Sequence, residues 1–369
     1  MSSMYNGITI HIIQNMNDLL LIEHQWNGLV NKVSNNPFLL SKFAKQFIEQ
    51  NPKGWTPIIL AFLENETIIG IAPLKTRKSL MGRYVDFLNP SWCSDFIFDE
   101  KYKSTCINYL FDFLFNSLKI NFAFFTLSID SPNLKILTQE CESHNLHMET
   151  KPEMGRRILH IKSEWTEYEA SLPRKYRKEM RRTERNLSKV GLWSVRHIDG
   201  RNRKEELIKK IDSIEKRSWK EVWRNQEGED DWILRSVIEA AGQQSKITEN
   251  FEWGSWFLEL EGKNVAYTLV IKYKQVSYFV KTSYDEQFKK FYPGIVIQNF
   301  AIHQQFIEQN EHIDFLSDLS YLKEWTNDCL PRISIQLTKG AMHSMIHCLL
   351  KNRIIAKVIS IYSNVIPTR

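Results

Sequence analysis

Between Val276 and Phe306 the sequence reads VSYFVKTSYDEQFKKFYPGIVIQNFAIHQQF, a strand rich in β-branched and aromatic residues, a polar turn and an apolar helix. Pro293 suits a first helical turn because it lacks the N–H that would be unpaired there. Gly294 lets a ligand come close to the backbone, and Lys289 and Lys290 add positive charge beside it. Unpaired N–H groups at a helix start favour an anion, so this corner suits a phosphate. The same residues also serve as plain Pro-Gly punctuation between strand and helix. Groups able to move protons lie close by in sequence. Tyr284 and Asp285 end the strand, and Asp318, Ser320, Tyr321 and Lys323 follow the next one, HIDFLS. Carboxylates accept protons, tyrosine donates one, and lysine holds an anion. Asp318 and Ser320 equally fit a helix cap, with Glu324 in the first turn.

Other chemistries find less support. The ten histidines never form HExxH or a comparable ligand spacing, so no metal is expected. There is no G-x-S-x-G elbow and no GxxxxGK[ST] loop. His343 and His347 share a helical face without a companion carboxylate or thiol, and read as a packed pair. Residues 171–185, SLPRKYRKEMRRTER, hold seven Lys or Arg. On a helix, Tyr176, Met180, Thr183 and Leu187 form one stripe, and the cations take the remaining sides. Without the interleaved aromatics of single-strand binders, this stretch reads as a solvated helix open to phosphate contact. It gives no reason to expect DNA.

The elements that must hold these groups fall into two similar series. The 369 residues are ample for two domains, and 43% hydrophobic residues with 12% aromatic supply their cores. A net charge of +6, from 49 basic and 43 acidic residues, favours an anionic ligand without requiring a polyanion. Five scattered cysteines without a CxxC pair suit a reducing cytoplasm. Ser2 to His11 has no leader pattern, and no stretch is long and apolar enough to span a membrane. The run SMIHCLLKNRIIAKVISIYSNVIP, interrupted by Lys351, Arg353 and Lys357, reads as an amphipathic docking helix, with a membrane-surface helix as the alternative.

The first series opens with a helix over Met16 to Lys32, and continues with strands WTPIILAFLE and TIIGIAPLKT around the turn Asn65-Glu66. Strands RYVDFL and CSDFIF, a helix over Tyr102 to Ser117, the strand FAFFTLSI and a helix striped by Leu134, Leu137 and Cys141 follow. The second series runs from the basic helix through ELIKKIDSIEKRSWKEV to strands GSWFLELE and NVAYTLVIKYK, which Gly262-Lys263 joins as a hairpin turn. Then come VSYFVKTS, a helix over Gly294 to Gln309, HIDFLS and RISIQLT. AFLENETIIGIAPL and LELEGKNVAYTLVI are length-matched hairpins, so a tandem duplication is expected, with its boundary near Met154 to Trp165. The expected units are 1–155, 156–340 and a C-terminal helix over 341–369.

Several short motifs in this order carry a resemblance: EHQWNGL, NPF, IAPL, LPRKYRKEMRR, SW at Trp219, SYD at Asp285, YPG at Gly294 and IDFLSDLSYLKEW. Together they resemble the GNAT superfamily, specifically the CelD-like and FemABX-like acyltransferases built from two GNAT-like domains. The resemblance implies an α/β (α+β) fold, each domain a mixed, mostly antiparallel sheet flanked by helices. It implies N-acyl transfer from acetyl-CoA or another acyl-CoA to a sugar, lipid- or nucleotide-linked amine, in the cytoplasm or at its membrane face. Lys289, Lys290, Tyr292, Gly294, Ile295 and Val296 would then hold the donor between splayed strands. Asp318 or Asp285 would accept the amine proton, and Tyr321 would protonate the thiolate. Asp95, Trp92, Trp219, Tyr284 and Lys323 would line the acceptor groove. The sequence departs from the Q/R-x-x-G-x-G/A pattern in having one glycine, and Lys323 stands one place beyond the usual Tyr-Lys, a turn of about 100° on a helix. Two alternatives follow: an aminoacyl-tRNA-dependent Fem-like transferase, and a non-catalytic module binding a glycan or anionic lipid.

Overall fold

The computed structural model describes residues 2–5, 7–50, 54–79, 82–89, 94–218, 237–242 and 250–339. Trp92, Trp219, His343, His347 and the expected C-terminal helix lie outside the described residues. The first half contains β1 (Ser2–Tyr5), β2 (Ile8–Ile13), α1 (Met16–Val33), α2 (Ser41–Gln50), β3 (Thr56–Glu64), β4 (Thr67–Ser79), β5 (Gly82–Phe87) and β6 (Ile97–Phe98). It continues through α3 (Lys103–Phe111), a π-helical turn (Asp112–Ser117), β7 (Phe122–Ser128), α4 (Leu134–Ser143) and β8 (Leu146–His160). The second half contains α5 (Trp165–Ser171), α6 (Arg174–Ser188), β9 (Trp193–Asp199), α7 (Lys204–Glu215), β10 (Phe251–Leu260), β11 (Lys263–Tyr273), β12 (Val276–Tyr284), α8 (Pro293–Ile307), β13 (His312–Asp314) and β14 (Cys329–Lys339).

The strands join in one mixed sheet, β1-β2-β3-β4-β5-β7-β14-β8-β13-β12-β11-β10-β9, with β6 beside β4. Neighbours run antiparallel except at two places, β5 with β7 and β12 with β13. Strands β2 to β5 and β9 to β12 are thus matched antiparallel sets, with β1 added at the edge of the first, and each set leads into one parallel pair. The halves also trade strands. β8 pairs with β14 along most of its length and with β13 at its end, and β14 returns to pair with β7 of the first half. The expected boundary at 155/156 thus falls inside one continuous strand, and β14 belongs to the sheet of the opposite half.

Local chemistry explains the repeated pieces. The β3–β4 turn uses Asn65 and Glu66, both at positive φ, and the β10–β11 turn uses Glu261 and Gly262, likewise both positive. Two positive-φ residues give the turn whose twist matches flanking strands. The second turn is therefore Glu261-Gly262, one residue earlier than expected, and Lys263 already pairs with Leu260. In both hairpins the register slips at the third residue after the turn, leaving Ile69 in β4 and Val265 in β11 as the extra residue. The two hairpins thus share a turn and a bulge at matched positions.

Among the described residues four apolar clusters form, and one is shared. Trp26, Leu29, Val30 and Phe38 of the first half pack with Leu207, Ile211, Tyr267, Leu269 and Tyr278 of the second. The indole N–H of Trp26 donates to the carbonyl of Leu39 (2.7 Å), and the Tyr278 hydroxyl donates to the carbonyl of Asn35 (2.7 Å). The NNPFL loop is therefore pinned at the seam between halves. On the other face of the second half, α8 lies against β10, β11 and β12. The stripe expected on α6, Tyr176, Met180, Thr183 and Leu187, is the set of residues that helix buries.

Candidate functional site

The parallel pair β12–β13 has three rungs, Val276 with His312, Ser277 with Ile313, and Tyr278 with Asp314. β12 continues six residues further to Tyr284, and no rung joins it to β13 there among the described residues. Two features open this gap. The β11–β12 ladder skips Val280, a bulge placed just past the last rung, and bulges end pairing and re-aim the strand. On the other side the chain turns away: Leu316 adopts φ +56, the amide of Phe315 donates to the carbonyl of Arg157, and the amide of Arg157 donates to the carbonyl of Ser317. Pairing with β8 replaces pairing with β12.

The far end of the gap meets the start of α8. Tyr292, the residue before Pro293, is held at φ +47 and ψ +47, with no side-chain cap on the helix. A bulky residue in the left-handed region is uncommon and costs free energy, a pattern that collects at ligand sites. The amide of Gly294 takes no partner among the described residues, while those of Ile295 and Val296 return to the carbonyl of Tyr292. A Cβ on Gly294 would stand 3.0 Å from Cδ1 of Tyr284. Any larger residue here would have to push the Tyr284 ring aside. Lys289 and Lys290 are exposed beside it, and Lys289 pairs with Glu286 (2.8 Å). The basic helix α6 touches the Glu286–Phe291 turn and α8.

Residues 174–324 match the profile of the acetyltransferase (GNAT) domain. The second half is thus similar to a GNAT acetyltransferase domain over these residues. Solved structures share the fold over most of the chain. A conserved protein of unknown function from Bacteroides thetaiotaomicron superposes with a TM-score of 0.56 at 11% identity, covering 89% of this chain and 100% of that one. FemX gives 0.55 at 13% identity, covering 91% and 99%. The C-terminal domain of a putative lysylphosphatidylglycerol synthetase from Agrobacterium fabrum gives 0.52 at 8%, covering 89% and 95%. No curated protein matches by sequence.

Within the second half the expected site residues separate. Tyr321, on the 3-10 turn Ser320–Glu324, meets Trp325 edge-on at 6.1 Å between ring centres. Burial pushes its hydroxyl above the usual tyrosine range, against a hydrogen bond with Gln298 of α8 that pulls the other way. It therefore contacts α8 and keeps its proton near neutrality. Asp318 instead faces Arg157, whose Nε lies 2.6 Å from its carboxylate. Neither Asp318 nor Ser320 caps the turn, whose N-cap is Leu319 with no side-chain bond. Asp285 lies at the opposite end of β12, fully buried. Its carboxylate accepts from Arg217 Nε (2.7 Å) and pairs with Lys263 Nζ (2.8 Å), and it accepts from the amide of Gln287 (3.1 Å). Burial raises its pKa, but these hydrogen bonds outweigh that and hold it below the usual carboxylate range. Lys323 is exposed. The three acid–base candidates are therefore not brought to one point.

Asp95 lies elsewhere, on a cavity of about 250 Å³ between the two halves. Ser34, Asn35, Asp130, Arg156, Tyr278 and His312 share its wall. A neighbouring cavity of about 400 Å³ shares Asp95 and adds Phe96, Phe98 and Lys103. Burial pushes the Asp95 carboxyl up to about 6, although Asn133, Ser131 and the amide of Phe96 hydrogen-bond to it. The cavity ends at the last rung of the parallel pair, where Arg156 Nη1 donates to the buried Asp314. Sequence reading missed Arg156, Arg157, Asp314, Gln298 and Tyr278. The only local signal was Arg156-Arg157 inside the apolar-ended run MGRRILHI. Among the described residues, no group of three His, Cys, Asp or Glu is placed to hold a metal.

Proposed function

We propose that the protein is an N-acyltransferase that moves an acyl group, acetyl by preference, from acyl-CoA to an amine. The amine belongs to a sugar, lipid- or nucleotide-linked precursor lying between the halves. The observation that carries this reading is the β12–β13 gap, which opens at a bulge and ends on the uncapped start of α8. The donor's thioester would lie in the gap, with open-edge N–H groups of β12 toward its carbonyl oxygen. Its phosphates would meet Gly294, Ile295 and Val296, with Lys289, Lys290 and Tyr292 at the margin.

The reaction is a direct transfer in a ternary complex. The amine nitrogen attacks the thioester carbon, a C–N bond forms and the C–S bond breaks. The nitrogen gives up a proton, and the departing thiolate takes one from Tyr321. Asp95, on the acceptor side and titrating close to neutrality, is better placed than Asp285 to accept the nitrogen's proton, directly or through water. Asp318 orders the loop through Arg157. This reading places the enzyme in the cytoplasm, with α6 turned toward an anionic substrate or membrane face. Among the described residues, no helix is long and apolar enough to cross a membrane.

Thermal unfolding with acetyl-CoA, longer acyl-CoAs, free CoA and bulk tRNA, at two salt concentrations, tests the donor. A ligand at 100 times its dissociation constant adds about 2.7 kcal/mol of stability. A shift with CoA species is expected. A salt-sensitive shift with tRNA alone would replace the donor by aminoacyl-tRNA, and no shift with either would leave a binding module.

A further inference from the structure

The outward side of α6 is not used by the groove. The residues this helix buries, Tyr176, Met180, Thr183 and Leu187, form one stripe. At about 100° per residue, the stripe directly opposite consists of Lys178, Arg182, Arg185 and Lys189, the last being the C-cap of the helix. All four are exposed. Arg182 pairs with Glu179 (3.2 Å), whereas Lys178, Arg185 and Lys189 have no carboxylate partner among the described residues. At 1.5 Å of rise per residue the row is roughly 16 Å long.

A basic row alone is an ordinary solvated face, but the loop beyond it adds an independent feature. Val190 is 42% exposed and Leu192 is 85% exposed. Their backbone is tied down: the amide of Val190 donates to the carbonyl of Leu187 (3.0 Å), and the carbonyl of Leu192 accepts from the amide of Glu261 (2.9 Å). The Glu261 carboxylate in turn accepts from the amide of Leu192, and the Trp193 indole donates to Ser188 Oγ (2.9 Å). Two apolar side chains are thus held out to solvent directly after the last cation. Single exposed apolar residues are common, and Leu21 of α1 is 84% exposed, but its charged neighbours in sequence are Asp18 and Glu23. Leu192 instead continues a row of cations. Cations that meet headgroup phosphates beside an apolar tip that enters the headgroup boundary suit an anionic bilayer. A nucleic-acid backbone would use the cations and leave the tip idle, and the row lacks aromatics on which bases stack. We propose that the protein docks on an anionic membrane surface, with Lys178, Arg182, Arg185 and Lys189 on lipid headgroups and Val190 and Leu192 inserted among them. Docking needs neither donor nor acceptor and does not depend on the acyl-transfer reading. Joined to that reading, and resting on it for this step alone, it selects the lipid-linked amines among the acceptors proposed above.

Co-sedimentation of the full chain, without CoA, tests the docking on vesicles of phosphatidylcholine alone and of phosphatidylcholine with about 30% phosphatidylglycerol. The anionic vesicles should bind at least ~10-fold more tightly. Changing Lys178, Arg182, Arg185 and Lys189 together to Gln should weaken that binding by at least ~100-fold. Leu192→Ser leaves every charge in place and alters only an exposed side chain, so the melting temperature should hold while binding falls roughly 5- to 10-fold. Leu21→Ser, at equal exposure on α1, should leave binding within about twofold of the parent. Equal binding to the two kinds of vesicle, binding untouched by Leu192→Ser, or an equal loss with Leu21→Ser would each overturn the proposal. Displacement from the anionic vesicles by tRNA at matched phosphate concentration would also overturn it and assign the row to nucleic acid. Acyl transfer to a soluble amine is measured separately, so docking without transfer removes the acyltransferase reading and leaves the membrane surface standing.

Discussion

Each half contains a parallel strand pair, and in each the residues just past the last rung are two phenylalanines. In the first half Asp86 pairs with Phe124, followed by Phe87 and Phe125 at 5.1 Å between ring centres. In the second half Tyr278 pairs with Asp314, followed by Phe279 and Phe315 at 5.4 Å. The halves diverge beyond that point. β5 ends at Phe87, and Phe96 packs on both rings, at 4.8 Å and 5.1 Å, so the first gap is sealed as core. β12 instead runs on for five residues past Phe279, through a bulge absent from the β4–β5 ladder. The same parallel-pair geometry is thus a hydrophobic plug in one half and an open strand edge in the other. A binding gap needs a strand that outlasts its partner, and parallel pairing alone does not make one.

Matched truncations are the strongest way to break that comparison. Phe125→Ala and Phe315→Ala each remove a buried ring and should each cost about 3–5 kcal/mol in denaturant unfolding. Only Phe315→Ala should also weaken acyl-CoA binding. Equal loss of donor affinity in both would mean that the first gap is not a sealed relic. Tyr321→Phe comes next. Removing a general acid typically costs about 100-fold or more in turnover, and because the hydroxyl does not hold the thioester, donor affinity should barely change. Turnover within twofold of the parent would take Tyr321 out of the mechanism.

Much of the groove was legible because its determinants are local. Strand periodicity and two-residue turns located both hairpins, and a three-four spacing located the buried face of α6 to the residue. The missing parts depend on distant partners. β8 reads LHMETKPEMGRRILH, with Pro152, Gly155 and little alternation, since its pairing with β14 is irregular at Leu330/Arg332. Nothing near Arg156 in sequence announces Asp314, 158 positions away. Buried ion pairs of this kind are set by topology, as is the separation of Asp285 and Asp318, the two alternatives that sequence offered for the amine's proton acceptor.

The start of α8 sharpens the comparison from the donor side. Gly294→Val would press new carbons against Tyr284, already 3.0 Å from the position of a Cβ. Overpacking of this kind costs about 1–3 kcal/mol, and the helix start should move off β12. Donor affinity should fall roughly 10-fold, more than the change in stability alone produces, since a destabilised but folded protein still binds. Titration of acetyl-CoA below the melting range separates the two effects.

The smallest expected effect concerns Asp95 and has a definite sign. Its carboxyl titrates at about 6 in the folded protein, because burial outweighs the hydrogen bonds from Asn133, Ser131 and Phe96 N, and Asp130 adds like charge. An unfolded aspartate titrates at about 3.9. Between those values the folded state holds a proton that the unfolded state has released, so stability falls as pH rises from about 4 to about 6 and is then level. Contact with the cavity limits the size of this term to below the roughly 2.7 kcal/mol that a two-unit shift would give. Asp95→Asn should remove the slope and leave the protein slightly more stable at pH 7, while acyl transfer to the amine falls. If the slope persists in Asp95→Asn, another carboxyl causes it and the acceptor-side base must be sought elsewhere on the cavity wall. If the slope vanishes but transfer is unchanged, Asp95 titrates as described without serving the amine, and the proton leaves through water.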